Sequence, residues 1–103
     1  MTIQLNATVN GKIATITVVG RFDFKGYREF RVVAEEVLKA EGVAEINLDM
    51  KKAEHLDSSA LGMLLSLRDN ANRANRLVLL SNCNGAVQQV LETANFYKLF
   101  KIN

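Results

Sequence analysis

The sequence predicts an α/β fold in which a mixed sheet of four to five strands packs with three helices. Two kinds of segment alternate along the chain. Runs with an apolar residue at every second position are typical of half-buried strands, and runs with apolar residues every three or four positions are typical of amphipathic helices. The dipeptide Asn10-Gly11, a strong signal for a tight turn, separates the first two strand-like runs. The predicted order is ββαβαβαβ, with right-handed crossovers between parallel strands.

The first half of the chain predicts a hairpin, a helix and a third strand. Residues 3–9 and 13–19 alternate or are rich in β-branched side chains, which favours strands on both sides of the turn. A helix is expected over about 26–39 because its apolar residues share one side: Phe30, Val33, Val37 and Leu38. The third strand is indicated by apolar residues that alternate with polar ones: Ala44, Ile46, Leu48 and Met50.

The second half predicts two further helices and two further strands. The second helix presents one apolar face: Ala60, Leu64, Leu67, Ala71 and Ala74. The segment 76–81 contains a continuous apolar run, residues 77–80, which predicts a strand covered on both faces. Asn82 or Asn84 is expected to cap a third helix with these inward residues: Val87, Val90, Leu91 and Ala94. Residues 96–102 predict a last short strand.

Length and composition indicate one globular domain over residues 1–103, able to bury about two-thirds of its unfolded surface. The formal net charge is +2, and lysine and arginine residues are scattered among acidic ones, so no nucleic-acid partner is expected. A small arginine cluster (Arg68, Arg73 and Arg76) is interpreted as a solvated helix face. No apolar run approaches the ~20 residues that span a membrane, and the first residues do not resemble a signal peptide. We therefore expect a cytoplasmic protein without direct membrane insertion.

Groups that carry catalysis or bind metals are scarce. The one cysteine, Cys83, excludes an internal disulfide and is interpreted as a small residue near a strand end. A serine nucleophile would need a base, and the one histidine, His55, is interpreted as a solvated loop residue with no carboxylate to orient it. Gly-x-Ser-x-Gly and phosphate-binding glycine motifs do not occur. We predict no enzyme activity, no catalytic residue, no metal site and no cofactor.

The segment Asp57-Ser58-Ser59-Ala60-Leu61-Gly62 is the most informative part of the chain. It follows the third strand and begins the second helix, where free backbone N–H groups need an acceptor. A phosphate on a hydroxyl at this place would be tolerated by the helix N-terminus. Capping alone explains Asp57, but it explains less well two adjacent serines and Gly62, because glycine inside a helix costs about 1 kcal/mol relative to alanine. A plain cap and a phosphorylation switch both remain open at this point, as does the choice between Ser58 and Ser59.

Asp23 follows the second strand and has two interpretations. It caps the first helix, or it lies beside Ser58, because loops at the carboxyl ends of parallel strands gather at one edge of the sheet. The second interpretation places Asp23 and Ser58 in one candidate site.

The strand–Asp57-Ser58-Ser59-Ala60-Leu61-Gly62–helix junction, with Gly20-Arg21-Phe22-Asp23 before it, resembles the STAS domain of anti-sigma factor antagonists. The resemblance implies a partner-switching role in signal transduction and transcription regulation. An unphosphorylated antagonist binds an anti-sigma factor that is also a serine protein kinase. Phosphorylation releases the antagonist, and a PP2C-type serine phosphatase resets it.

Carried over by position, the resemblance implies that Ser58 is the phosphorylated residue. Asp57, Ser59 and Gly62 would support this phosphosite. Asp23, Arg21 and Leu61 would contact the partner, although antagonists of this type often carry an acidic residue at the position of Arg21.

Two other functions are compatible with such a sequence. Stand-alone STAS domains also serve as unphosphorylated subunits of cytoplasmic lipid-transport ABC complexes, a role that needs a docking face but no reserved serine. A serine hydrolase is the other alternative, but the sequence offers no base for the serine, no group to orient such a base and no phosphate-binding loop.

Overall fold

A computed structural model describes residues 3–103 as a five-stranded sheet packed with three α-helices. The predicted domain of 1–103 includes Met1 and Thr2, which lie outside the described residues. The elements, in chain order, are β1 (Gln4–Asn10), β2 (Ile13–Phe22), α1 (Tyr27–Lys39), β3 (Glu45–Leu56), α2 (Ser58–Arg73), β4 (Leu77–Ser81), α3 (Gly85–Thr93) and β5 (Lys101–Ile102). Two short 3₁₀ turns, Phe24–Gly26 and Phe96–Lys98, precede α1 and β5. The predicted α/β class, mixed sheet and element order are confirmed.

The strands are ordered β1-β2-β3-β4-β5 across the sheet; β1 is antiparallel to β2, and β2 to β5 are parallel. The β1–β2 hairpin pairs Asn10 with Ile13, so Gly11 and Lys12 are the central residues of its turn. The φ of Gly11 is +62°, the left-handed value that a type II′ turn requires at its first central residue.

The three helices cover one face of the sheet. Each crossover from β2 to β5 moves one strand in the same direction, so right-handed connections place α1, α2 and α3 on the same side. On that side the strand residues are buried: Ala14, Ile16, Val18, Ile46, Leu48, Met50, Val78 and Leu80. On the other side the central strands carry polar, half-buried residues: Thr15, Thr17, Asn47, Asp49 and Ser81.

This one-sided arrangement corrects the prediction for the fourth strand. The apolar run 76–81 was expected to be covered on both faces, but burial along β4 alternates. Val78 and Leu80 lie in the core, whereas Leu77 is 69% exposed on the open face. A continuous apolar run predicts two-sided burial only where helices lie on both faces of the sheet.

Strand β3 extends six residues beyond the predicted end at Met50. The prediction ended too early because two irregularities interrupt the alternation of buried and exposed residues along the strand. Thr17 pairs with Asp49 but Val19 pairs with Lys52, so β3 contributes one extra residue there. A second shift follows, where Gly20 pairs with Ala53 and Arg21 with His55. Such bulges change which side chains face the core. As a result His55 lies in a strand, half-buried, rather than in the predicted solvated loop.

Two smaller predictions are also corrected. The apolar side of α1 buries Ala34 together with Phe30 and Val37, while Val33 and Leu38 are only partly buried against the core. The expected strand over 96–102 is a 3₁₀ turn followed by the two-residue β5. Phe96 and Phe100 from this segment are buried and stacked, with their ring centroids 5.2 Å apart.

Candidate functional site

Asp57 caps α2, as its position in the sequence predicts. Its backbone is extended (φ −104°), and its Oδ1 accepts a hydrogen bond of 2.8 Å from the N–H of Ala60. The Asp57 carbonyl also accepts from the N–H of Leu61 at 3.1 Å. The carboxylate satisfies the N–H of Ala60, which has no partner within the helix, while the bond from Leu61 is the first regular hydrogen bond of α2.

The loop after β2 is organised by a second aspartate. Asp23 Oδ1 accepts from the N–H of Lys25 at 3.1 Å, and its carbonyl accepts from the N–H of Gly26 at 3.0 Å. The carboxylate therefore caps the short 3₁₀ turn that leads into α1 rather than α1 itself. Arg21 Nε lies 3.8 Å from Asp23 Oδ2, and the Arg21 side chain is exposed. The Asp23 side chain is largely buried, but an ion pair at this distance with an exposed partner contributes little to stability.

Asp57 joins these two loops. Its Oδ2 accepts a hydrogen bond of 3.2 Å from the N–H of Phe24, and its own N–H donates to the carbonyl of Phe22 at 3.3 Å. The carboxyl ends of β2 and β3 therefore meet at one edge of the sheet. This arrangement places the loop of Asp23 against the start of α2, where Ser58 lies.

The other predicted site residues differ in exposure. Ser58, Ser59 and Gly62 are exposed on the first two turns of α2. Leu61 is half-buried and packs against the core. A Cβ built on Gly62 meets no atom of residues 3–103 within 4 Å. Capping does not explain Gly62, and contact with the described part of the chain does not explain it either.

Two aromatic residues that the sequence reasoning did not select lie next to this site. Phe24 is 63% exposed and Tyr27 is 56% exposed. Both line a shallow depression with Ser59 and Gly62. The signal in the sequence was two aromatic residues within four positions of Asp23, but their exposure depends on tertiary packing.

A groove between α1 and α2 continues from this depression. It has a volume of about 230 Å³, and Tyr27, Met63 and Ser66 line both regions. Its floor consists of buried apolar side chains: Phe30, Ala34, Met63 and Leu67. Ser59 thus lies at one end of a longer groove, whereas Ser58, the predicted phosphorylated residue, precedes it in the chain and does not line it.

Cys83 lines neither the depression nor the groove. Among residues 3–103, no group of three or more His, Cys, Asp or Glu side chains is placed to hold a metal ion. Cys83 is half-buried, and this burial raises the pKa of its thiol, which lowers its nucleophilicity near neutral pH. Within the same residues, none of the helices is both long and apolar enough to cross a membrane.

Two of the three clustered arginines are structural rather than solvated. Arg76 donates from Nη1 to the carbonyl of Val37 at 2.7 Å and from Nη2 to that of Ala40 at 2.8 Å. Arg68 Nε donates to the carbonyl of Leu99 at 2.7 Å. The predicted solvated arginine face is therefore wrong for Arg68 and Arg76, and correct for the exposed Arg73.

Comparison with known families gives a match to the STAS domain over residues 4–103. The chain belongs to the STAS domain family. A STAS-domain containing protein of Pseudomonas aeruginosa (strain UCBPP-PA14) is 42% identical over 103 residues, which is 100% of both chains.

Solved structures share the fold of this STAS domain. The Bacillus protein SpoIIAA in its phosphorylated form matches with a TM-score of 0.72 and 17% identity, covering 98% of this chain and 90% of that one. Its unphosphorylated form, described as an anti-sigma factor antagonist, gives the same TM-score. The STAS domain of a SulP transporter from Vibrio cholerae matches with a TM-score of 0.71 and 17% identity, covering 92% of this chain and 75% of that one. At these identities the likeness shows the fold alone.

Proposed function

We propose that this STAS domain is an anti-sigma factor antagonist that works by partner switching. In its unphosphorylated form it binds an anti-sigma factor that is also a serine kinase. The kinase phosphorylates Ser58, the antagonist is released, and a PP2C-type serine phosphatase restores the first state. The domain acts in the cytoplasm, by binding rather than by catalysis.

The observation that carries this proposal is the position of Ser58. Ser58 is an exposed residue and the first of α2, and it directly follows a capping aspartate that also binds the neighbouring loop. A kinase needs an accessible hydroxyl, and a switch needs that hydroxyl within a surface that a partner covers. The fold shared with SpoIIAA, which is known in phosphorylated and unphosphorylated forms, supports the same assignment.

Charge explains how the modification would act. A phosphate adds roughly −1.5 to −2 charges near neutral pH, against a formal net charge of +2 for the whole chain. At the start of a helix the added charge is compatible with the fold. A partner that packs on this surface would have to desolvate the phosphate, so release follows without a large change of fold.

The remaining site residues take supporting roles in this proposal. Asp57 fixes the start of α2, Ser59 lies beside Ser58, and Gly62 leaves the backbone open for the partner. Asp23 and Arg21 form the adjacent part of the binding surface. Leu61 contributes only the exposed part of its half-buried side chain.

A second candidate is a subunit of a transport complex. The fold shared with the STAS domain of a SulP transporter favours it, and the unphosphorylated subunit of a lipid-transport ABC complex is the form of this role that the sequence suggests. Such a subunit needs a docking face, but it does not need a phosphorylated Ser58.

A paired pull-down from the native cells separates these functions. Tagged Ser58→Ala and Ser58→Asp forms are compared, with Ser59→Ala and Ser59→Asp as the matched pair one residue away. We expect Ser58→Ala to retain a kinase-like protein that Ser58→Asp loses, and mass spectrometry to find phosphate on Ser58. If both Ser58 forms bring down the same transporter subunits, the switch is wrong and the second candidate is correct.

A further inference from the structure

The dipeptide Asn-Gly occurs twice in the chain, at Asn10-Gly11 and at Asn84-Gly85. In such a dipeptide the backbone nitrogen of the glycine can attack the side-chain carbonyl carbon of the asparagine, because glycine has no side chain to obstruct the approach. The two dipeptides have the same chemistry, so the fold decides which of them reacts.

The first dipeptide lies at the tip of the β1–β2 hairpin. Asn10 and Gly11 are both exposed, and within residues 3–103 the side-chain amide of Asn10 forms no hydrogen bond. Asn10 and Ile13 are the last pair of the strand ladder, and among the same residues the N–H of Gly11 donates no hydrogen bond. The side-chain amide and the attacking nitrogen are therefore both unengaged in the described part of the folded chain.

The hairpin tip is anchored on one side. The carbonyl of Lys12 accepts from the N–H groups of Ala44 and Glu45 at 2.7 and 3.1 Å, which fixes the β2 side of the turn to the start of β3. Asn10 is the last residue of β1, which is the outer strand of the sheet. The end of an edge strand opens at a small cost in free energy, so Asn10 can rotate toward Gly11 without unfolding of the core.

The second dipeptide is held at three points. The Asn84 side chain donates from Nδ2 to the carbonyl of Ala53 at 2.7 Å and accepts from the N–H of Val87 at 3.2 Å. The backbone carbonyl of Asn84 accepts from the N–H of Gln88 at 2.6 Å. Rotation of the Asn84 side chain toward Gly85 would break the cap of α3 and the link from that helix to β3. The fold therefore protects this asparagine.

We propose that Asn10 is a site of spontaneous deamidation in the folded protein, with water as the other reactant, and that Asn84 is protected from the same reaction. The nitrogen of Gly11 bonds to Cγ of Asn10, the bond from Cγ to Nδ2 breaks, and the amide leaves as ammonia with the proton that Gly11 loses. The result is a cyclic imide. Water opens this ring at either carbonyl and gives aspartate or isoaspartate at position 10. The inference does not depend on the proposed function.

The two products differ in their effect on the hairpin. Both replace a neutral amide with a carboxylate, so the formal net charge falls by one from +2. Isoaspartate also lengthens the main chain by one carbon, because the peptide then runs through the former side chain. Position 10 can then no longer form the regular pair with Ile13 that closes the turn. The isoaspartate product therefore loosens the end of the hairpin, whereas the aspartate product changes only its charge.

Peptide mapping of the full chain tests the site, and Asn84 is a matched control within the same molecule. The folded protein is incubated in mildly alkaline buffer made with heavy-oxygen water, cleaved at acidic pH in ordinary water and sequenced by mass spectrometry. Because water opens the ring, deamidation during the incubation incorporates the heavy isotope. The same chain in concentrated urea gives the reactivity of both asparagines without the fold.

In urea we expect Asn10 and Asn84 to react at similar rates. In the folded protein Asn84 should react roughly thirtyfold more slowly than Asn10, since both hydrogen bonds of its side chain must first break. The proposal is overturned if Asn10 stays intact in the folded protein, or if the two rates differ there no more than they do in urea.

A second measurement tests the effect on the hairpin. Ion exchange separates the deamidated forms, and an isoaspartyl methyltransferase, which methylates the carboxylate of isoaspartate, identifies the form with the longer main chain. The variant Asn10→Asp carries the same charge on an ordinary main chain. We expect Asn10→Asp to melt like the wild type and the isoaspartate form to melt lower. Equal melting temperatures for these two forms would overturn the proposed loosening of the hairpin.

Discussion

The carboxylate of Asp57 and the backbone N–H of Phe24 connect the start of α2 to the loop that follows β2, at a distance of 3.2 Å. The second carboxylate oxygen of Asp57 caps α2 through Ala60. One side chain therefore fixes both loops that form the candidate site. Any change in the position of Phe24 is coupled to the helix start on which Ser58 lies.

Replacement of Asp57 separates these two contacts. Asp57→Asn keeps an oxygen for Ala60, and asparagine caps helices as well as aspartate, so we expect the free energy of unfolding to change by less than about 0.5 kcal/mol. The new amide group cannot accept from Phe24, so exchange of the Phe24 amide hydrogen should accelerate. Asp57→Ala loses both contacts and should cost about 1–2 kcal/mol. Urea denaturation and amide exchange by NMR measure these effects; an unchanged exchange rate at Phe24 in Asp57→Asn would contradict the bridge.

Two glycines give opposite predictions for the same substitution. Gly62→Ala should stabilise the domain by up to about 1 kcal/mol, since alanine is the better helix former and its Cβ meets no atom within 4 Å. Gly26→Ala should destabilise it by about 1–3 kcal/mol, because its Cβ would come within 2.6 Å of the buried Ile3 side chain. Thermal unfolding of both variants tests this. A more stable Gly62→Ala that binds the partner less well would explain why glycine lies there, whereas unchanged partner binding would leave the residue unexplained.

A negative charge at position 58 should leave the fold intact. Ser58→Asp places a carboxylate at the positive end of α2, which contributes about 0.3–1 kcal/mol where no other acid is near. The adjacent Asp57 reduces this gain, so we expect a melting temperature equal to or slightly above that of the wild type. Ser58→Lys, the control of opposite charge, should melt lower, and added salt should narrow the difference. If Ser58→Asp unfolds markedly, phosphorylation would act by unfolding the domain and not by changing the charge of its surface.

Local signals predicted those parts of the structure that depend on neighbouring residues. Asp57 was identified as a cap because capping requires a short polar side chain followed by a helical pattern, and both lie within a few positions. The hairpin turn at Gly11 was recognised for the same reason. The order of elements along the chain, ββαβαβαβ, was predicted from the same kind of local pattern.

Features that depend on distant residues were predicted incorrectly or missed. The end of β3 was predicted too early because bulges shift the alternation of its buried residues, and no local sequence pattern predicts a bulge. As a result the strand includes Lys51, Lys52 and Glu54. The exposure of Leu77 depends on which side the three helices occupy. Phe24 and Tyr27 were overlooked, since aromatic residues are more often buried than exposed.

Arg76 shows how the arginine cluster can be tested residue by residue. Its guanidinium donates to two carbonyls at the end of α1, from Val37 and Ala40, and thereby connects the start of β4 to that helix. Arg76→Ala leaves both carbonyls without this partner, so we expect a loss of about 2 kcal/mol in urea denaturation. Arg76→Lys should recover only part of it, because an ammonium lacks the planar fork that reaches both acceptors. Arg73→Ala removes an exposed side chain whose hydrogen bond within residues 3–103 goes to Asn70 of its own helix, so it should change stability by less than about 0.5 kcal/mol. Equal losses for Arg73→Ala and Arg76→Ala would contradict the structural role of Arg76 and restore the solvated face that the sequence suggested.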